Sequence, residues 1–205
     1  VEFEANLNGG IDIHYTGDDN TNLFINHSLF KYNATGIHGE RVSLLEIKNT
    51  KFEDNIIPIY IFDTSNECYG VMDSISVIGN LRGSQLPMNL TISNSSFESN
   101  GSSFVSTGSS LLYYYSSLPC ALNILNSNFV GNKGFGRLFN NNDGVATIKN
   151  CSFISNETAF PITWVKDLTV NHSYVYDHIG NEIFHAEDNL SLNSDTIESC
   201  KLESY

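Results

Sequence analysis

The sequence predicts an all-β fold, a right-handed parallel β-helix of about eight or nine rungs with three short strands in each rung. The first observation is a recurring pattern, apolar-x-apolar-x-Asn-small-x-Phe-x-x-Asn. It is seen in "LLEIKNTKFEDN" from Leu44, "NLTISNSSFESN" from Asn89, "ALNILNSNFVGN" from Ala121 and "ATIKNCSFISN" from Ala146. The second is a period of about 22 residues, which is too short for paired-helix repeats. The third is that apolar residues alternate within each copy, as they do in half-buried strands.

The Phe position of the repeat sets the order of the rungs. The gap from Phe52 to Phe97 is about twice the period and predicts two turns, whereas the gap from Phe97 to Phe129 predicts one turn with an insertion over residues 101–120. We expect a single β-helix domain over residues 1–205. The predicted markers are Phe30, Phe52, Phe97, Phe129, Phe153, Tyr174 and Ile197.

Each rung is interpreted as three strands joined by bends. Around Phe153 the strands are "ATI", "CSFIS" and "FPITW", and the corresponding third strands are expected at 57–62, 103–107, 137–140 and 182–186. Aromatic side chains at equivalent positions are expected to stack inside the column, since stacking buries a large apolar area.

The tetrapeptide Phe-x-x-Asn occurs five times in phase, as "FKYN", "FEDN", "FESN", "FVGN" and "FISN", and one Gly-Gly-Ile occurs at 9–11. This pattern resembles the polymorphic outer-membrane protein repeat, within the pectin-lyase-like right-handed parallel β-helix superfamily. The resemblance implies a surface-displayed passenger domain or adhesin. The superfamily also contains polysaccharide lyases and hydrolases, so that an enzyme is the alternative.

The charge balance excludes some partners. Ten Lys and Arg stand against 23 Asp and Glu, which gives a net charge of -13 and disfavours nucleic acid. No apolar run approaches the ~18 residues of a membrane span, so we expect no membrane insertion in this segment. We expect the chain to be a fragment of a longer secreted or cell-surface protein.

Nine Asn-x-Ser/Thr sequons occur in the sequence. Strand alternation predicts that Asn94 turns inward at a bend, in a ladder with Asn49, Asn126, Asn150 and Asn171, while the Asn of Phe-x-x-Asn turns outward. If the chain passes through a eukaryotic secretory pathway, N-linked glycans are therefore expected on Asn33, Asn89, Asn100, Asn156 and Asn189. They are disfavoured on Asn26, Asn94, Asn150 and Asn171.

The four cysteines are too far apart in sequence for a zinc knuckle or a CxxC redox pair. Cys68 and Cys120 flank irregular stretches and are the candidates for a disulfide. Cys151 stands where other copies carry Ser or Thr, and it is equally well interpreted as a small core residue.

The two types of polysaccharide-active enzyme each require a characteristic cluster of residues. A lyase needs a basic residue beside an acidic cluster, and the only arginines, Arg41, Arg82 and Arg137, lie in separate rungs without one. A hydrolase needs acidic residues on one face, and the densest set is Asp12, Asp18 and Asp19 with His38 nearby. We interpret that set as a solvated turn, and therefore expect no catalytic residue.

The six histidines show no metal-ligand spacing, so we expect no metal and no cofactor apart from glycans. The run "LLYYYSSL" from Leu111 is either a sugar-stacking platform or an insertion folded against the column.

The sequence as a whole predicts an extracellular structural or adhesive glycoprotein module that is not catalytic. Its expected protein partners are copies of itself or other surface proteins, bound through end-to-end or lateral contacts that form a surface fibre. Carbohydrate is a further expected partner.

Overall fold

The computed structural model describes residues 1–6, 9–14, 21–62, 68–86, 88–113, 120–180 and 182–202. Across these residues the chain forms 24 β-strands and no helix. The strands pair in parallel with the strand one turn away, as in the pairs Phe3↔Phe30 and Phe129↔Phe153. The described residues contain no helix that could cross a membrane.

The first side of the column is a nine-stranded sheet of three-residue strands. In stacking order these are β1 (Glu2–Glu4), β4 (Leu29–Lys31), β7 (Lys51–Glu53), β10 (Ser76–Ile78), β13 (Ser96–Glu98), β16 (Asn128–Val130), β18 (Ser152–Ile154), β20 (Tyr174–Tyr176) and β23 (Thr196–Glu198).

The second and third sides form one 13-stranded sheet because β17 (Lys133–Lys149) and β19 (Thr163–Asn171) run around the corner between them. The second side holds β2 (Ile11–Ile13), β5 (Thr35–Glu40), β8 (Ile57–Phe62), β11 (Ser84–Gln85), β14 (Gly101–Tyr113) and the first halves of β17 and β19. The third side holds β3 (Thr21–Asn26), β6 (Val42–Lys48), β9 (Tyr69–Asp73), β12 (Asn89–Ser93), β15 (Ala121–Leu125), the second halves of β17 and β19, and β22 (Ala186–Asn193).

Seven successive turns contribute to all three sides of these two sheets. In the next turn, β21 (Ile179–Gly180) forms a separate two-stranded sheet with β24 (Lys201–Leu202). The predicted parallel β-helix is confirmed, and the expected number of rungs was slightly too high. The third strand expected at 182–186 is wrong, since the described residues before Ala186 in this segment are not in a strand.

A stack of phenylalanines fills the core behind the first side. Ring centroids of Phe97 and Phe129 lie 4.9 Å apart with nearly parallel planes, and those of Phe129 and Phe153 lie 5.1 Å apart. Val77 occupies the turn between Phe52 and Phe97, which confirms that their gap holds two turns. The next marker is Val175 rather than the expected Tyr174, because Phe153 pairs with Val175.

The asparagine of Phe-x-x-Asn is buried and forms a continuous ladder. The Asn100 backbone N–H and side-chain Nδ2 both donate to Asn132 Oδ1, at 3.2 and 2.9 Å, and Nδ2 also donates to the Val77 carbonyl at 2.8 Å. Each amide therefore links two turns and satisfies buried backbone groups. The buried ladder consists of Asn33, Asn55, Asn80, Asn100, Asn132 and Asn156.

The predicted outward orientation of Asn33, Asn100 and Asn156 is therefore wrong. The residue before the asparagine has a left-handed backbone, with φ of 52° at Ser99 and 51° at Ser155. A left-handed residue breaks the alternation of side chains that the prediction assumed, and it turns the next side chain back into the core.

A second ladder lies at the bend before the Phe strand, and it is exposed to solvent. Asn94, Asn126 and Asn150 have left-handed backbones with φ of 49 to 53°, and their amides are linked at 3.4 and 3.0 Å. The expected ladder exists for these three residues, but its inward orientation is wrong. Asn49 is not joined to Asn94, because Ser74 occupies the bend in the turn between them. Asn171 lies outside the ladder because it pairs with Lys149, so that His172 occupies the bend position.

In five turns the residue after the exposed bend is a buried Ser, Thr or Cys that bonds to the backbone, namely Thr50, Ser95, Ser127, Cys151 and Ser173. Ser127 Oγ donates to the Leu125 carbonyl at 2.8 Å and accepts the Ser95 N–H at 3.2 Å. Cys151 Sγ makes the equivalent contact to the Lys149 carbonyl at 3.2 Å. Cys151 is thus a core residue, and burial raises the pKa of its thiol.

Cys68 and Cys120 are buried but are not bonded to each other. Each precedes a strand of the third side, and Met88 occupies the same position in the turn between them. Two stacking steps separate them by roughly 10 Å, which exceeds the span of a disulfide. The predicted pairing is therefore wrong.

The first part of the predicted insertion at 101–120 is the strand β14. β14 pairs with β17 through register shifts, and Leu111 and Leu112 are buried in the core. The tyrosine run continues into residues 114–119, which lie outside the described part of the chain.

Candidate ligand-binding face

The outward side chains of the second side form one row along the column. Asp12 pairs with His38, His38 with Tyr60, and Tyr60 with Gln85. The backbone register continues through residue 113 to Asn140 and Trp164, whose side chains extend the same row. Because strands alternate, the neighbours of His38 and Tyr60, such as Ile37 and Ile61, point into the core. We call this row the outer row.

An acid–imidazole cluster occupies the N-terminal end of the outer row. His38 Nδ1 lies 2.6 Å from Asp12 Oδ1, and His14 Nε2 lies 3.1 Å from Asp12 Oδ2. The other nitrogen of His14, Nδ1, lies 3.5 Å from Glu40 Oε1. The hydrogen bond from His38 is the main reason why the pKa of Asp12 is lowered.

An aromatic cluster adjoins these charged groups. The His38 ring stacks on Tyr60 and Phe62 with centroids 5.6 and 5.3 Å apart, and Tyr60 lies 5.7 Å from Phe62. The three rings come from two adjacent strands, β5 and β8. They present a partly exposed aromatic surface next to hydrogen-bonding groups.

A second aromatic cluster lies toward the C-terminal end of the outer row. The Arg137 guanidinium lies 4.6 Å from the Phe160 ring centroid and 4.4 Å from that of Trp164. His185 stacks on Trp164 at 4.6 Å. Trp164 Nε1 donates to Glu187 at 3.1 Å, so its ring is fixed from three directions.

Arg137 is the best-enclosed cation of this cluster. Burial lowers the pKa of its guanidinium, and Nε is buried without a hydrogen-bond partner in the described structure. Asn140 Oδ1, in the same row, is also buried without a partner. One hydrogen-bond donor and one acceptor thus have no partner in the described structure, and both lie beside an aromatic face. Such a surface suits a polar ligand that also has flat apolar faces.

The sequence singled out some of these residues and missed others. Asp12 and His38 are brought together, whereas Asp18 and Asp19 lie outside the described residues. His14 and Glu40 were missed because the cluster joins strands a full turn apart. The signal was the spacing of Asp12 and His14, two residues apart at the end of one strand, combined with the repeat period that places His38 beside them.

Of the sequon asparagines outside the buried ladder, Asn26, Asn94, Asn150 and Asn189 are exposed, whereas Asn89 and Asn171 are half-buried. The Asn89 side chain accepts the Ala121 N–H at 2.8 Å. Exposure therefore favours two of the sites that sequence alternation disfavoured at the bend.

Comparison with known proteins agrees with this architecture. A family model described as "Right handed beta helix region" matches residues 1–153. No curated protein matches the sequence. A trypsin-treated form of QnrB1, a plasmid-mediated fluoroquinolone resistance protein, is similar in structure with 12% sequence identity, a TM-score of 0.30, and coverage of 97% of this chain and 92% of that one. Since the family model spans most of the sequence and the strands form the expected three-sided column, the chain belongs to the right-handed β-helix family.

Proposed function

We propose that this chain is an extracellular, non-catalytic binding module that holds neutral glycans along the outer row. The observation that carries this proposal is the presence of aromatic clusters at both ends of one row on a rigid column. Tyr60 and Trp164 are separated by four stacking steps, or roughly 19 Å. An extended oligosaccharide along the column can therefore contact both clusters.

The chemistry of the outer row supports a sugar ligand. Aromatic faces pack against the C–H faces of sugar rings, while Arg137, Asn140 and Gln85 offer polar groups to hydroxyls between the rings. The net charge of -13 disfavours an anionic polysaccharide. A neutral glycan thus fits the row better than an acidic one.

Affinity gel electrophoresis tests this proposal with a neutral β-glucan, a neutral galactan and the acidic polymers homogalacturonan and heparan sulfate. We expect retardation by a neutral polymer and a loss of affinity of at least about tenfold in Tyr60→Ala and Trp164→Ala. Tyr69→Ala is the matched control, since Tyr69 is an exposed aromatic on the third side. Equal losses in all three variants, or no retardation, would refute the proposal.

The alternative is a polysaccharide-active enzyme, and one observation favours it. Asp12 and His38 are in direct contact at 2.6 Å, and Asp12 is a candidate acid or base on the same row as the aromatic rings. Release of reducing ends or unsaturated products, abolished in Asp12→Asn, would establish this alternative. Binding without any product supports the non-catalytic module.

Five in-phase Phe-x-x-Asn repeats favour a surface-displayed adhesin of the polymorphic outer-membrane type, and exposed sequons favour a glycoprotein if the source is eukaryotic. Contact between copies, end-to-end or lateral, stays part of the proposal, because exposed strand edges pair readily with a second chain.

A further inference from the structure

The Asp12, His14 and His38 side chains converge at one point on the surface. One ligand atom from each lies within 4.8 Å of the others. Asp12 lies in β2, His14 directly follows the end of that strand, and His38 faces Asp12 from β5. Two adjacent strands and the residue after one of them thus bring three metal-ligating groups together.

The arrangement of the His14 ring distinguishes a metal site from a simple ion pair. Nε2 of His14 faces Asp12 at 3.1 Å, whereas Nδ1 faces Glu40 at 3.5 Å. When one imidazole nitrogen binds a metal, the other usually donates to a carboxylate that fixes the ring. Glu40 stands in that orienting position, and Asp12, His14 Nε2 and His38 Nδ1 are left as ligands.

All three donors lie within 4.8 Å of one another, and two of their separations, one to each oxygen of Asp12, are close to those that a metal requires. Zn²⁺ binds imidazole nitrogen and carboxylate oxygen at about 2.0 to 2.2 Å, so tetrahedral ligand atoms lie roughly 3.3 Å apart. The Asp12–His14 separation of 3.1 Å needs little change, and the Asp12–His38 separation of 2.6 Å needs to open slightly. His38 is supported by stacking on Tyr60 and Phe62, which limits the rotamer entropy lost on binding.

We propose that Asp12, His14 and His38 form a binding site for a borderline divalent metal ion such as Zn²⁺, Ni²⁺ or Cu²⁺. Two imidazoles and one carboxylate select these ions over Mg²⁺ and Ca²⁺, which prefer all-oxygen sites. Three protein ligands leave one position open toward solvent beside Tyr60. His38 also belongs to the aromatic cluster of the outer row, but the test of the metal site needs no carbohydrate and is therefore separate from the test of glycan binding.

Isothermal titration of the purified chain with Zn²⁺ at neutral pH tests the site directly. We expect one ion per chain and at least about tenfold weaker binding in Asp12→Asn and His38→Gln. Glu40→Gln should weaken binding by about tenfold, the lower end of the range for a residue that orients a ligand without binding the metal itself. Glycan retardation of the same variants, measured with a chelator present, reports separately on the binding module.

His185→Gln is the matched control, because His185 also contacts a carboxylate, Glu182, at 3.3 Å but belongs to no group of three ligands among the described residues. Its Zn²⁺ affinity should equal that of the unmodified chain. Undetectable Zn²⁺ binding overturns the proposal. So does binding that survives Asp12→Asn and His38→Gln, or that is lost when the thiols are blocked, because the ion would then be held elsewhere.

Discussion

Replacing Asn132 by Ala probes whether the buried asparagine ladder holds the turns together. Asn132 Oδ1 accepts the backbone N–H and Nδ2 of Asn100 at 3.2 and 2.9 Å. Its own Nδ2 donates to the Phe97 carbonyl and to Asn156 Oδ1, both at 2.9 Å. Truncation therefore removes a partner from two donors and two acceptors. Asn100 Nδ2 keeps the Val77 carbonyl and Asn156 Oδ1 keeps the Asn132 N–H, whereas the Asn100 N–H and the Phe97 carbonyl lose the partners named here.

The magnitude follows from two of these groups, the Asn100 N–H and the Phe97 carbonyl. A buried polar group left without a partner costs about 1 to 3 kcal/mol. We expect Asn132→Ala to lower the free energy of unfolding by about 2 to 4 kcal/mol, which is the lower half of the summed range because a water molecule admitted to the cavity satisfies part of the loss. Alanine itself is compatible with the backbone here, since Asn132 has no positive φ.

Asn128→Ala is the matched control for this substitution. Asn128 belongs to the same turn, is exposed, and accepts one hydrogen bond, from Ser152 Oγ at 2.6 Å. Its truncation should cost less than about 1 kcal/mol because water replaces the lost partner. Urea unfolding followed by far-ultraviolet circular dichroism measures both variants. If Asn132→Ala is no more destabilising than Asn128→Ala, the ladder does not stabilise the column in the way we infer.

Three further predictions follow from the core and the bends. Phe97→Ala should lower the free energy of unfolding, measured in urea, by about 3 to 5 kcal/mol because it interrupts the ring stack. A loss below about 1 kcal/mol would contradict the placement of the Phe97 ring in the core. His178 replaces Asn in the ladder, and burial lowers its pKa to about 4. Because the unfolded chain takes up a proton here at a pKa of about 6.5, the stability linked to neutral His178 is complete above pH 6.5 and is lost as pH falls toward 4. His178→Asn should remove up to about 3 kcal/mol of that acid sensitivity, and an unchanged pH profile would show that another group is responsible. In a glycosylating host, mapping should find sugar on Asn94 and Asn150 but not on the buried Asn100, and the reverse occupancy would contradict this burial.

The fold was predictable because its signals are local and repeated. A short period, alternating apolar residues and Phe in phase require only that each turn stack on the previous one, and Phe129 and Phe153 do so. The exception at Val175 arose because the bend position holds His172 rather than Asn, so that aligning on asparagine shifted the register by one residue.

The candidate sites were less predictable because they depend on distances across turns. His14 and His38 are neighbours only when the register between β2 and β5 is known. Similarly, Arg137 and Trp164 meet across β17 and β19, so neither is conspicuous in sequence. Residue type alone showed Asp12 and His38 as candidates but not what surrounds them.

The two asparagine ladders differ in how strictly they require asparagine, and this difference follows from burial. A buried rung must donate and accept along the stack at once, which an amide does and a hydroxyl or imidazole does less well. The buried position is accordingly Asn in six successive turns, from Asn33 to Asn156, before His178 interrupts it with an unpartnered Nδ1. The exposed bend tolerates other residues because water completes its hydrogen bonds, and it is Asn in only four of eight turns, the others being His27, Ser74, His172 and Ser194. Uniformity along the column, rather than strand alternation, is therefore the sequence signal that separates the buried asparagines from those able to carry a glycan.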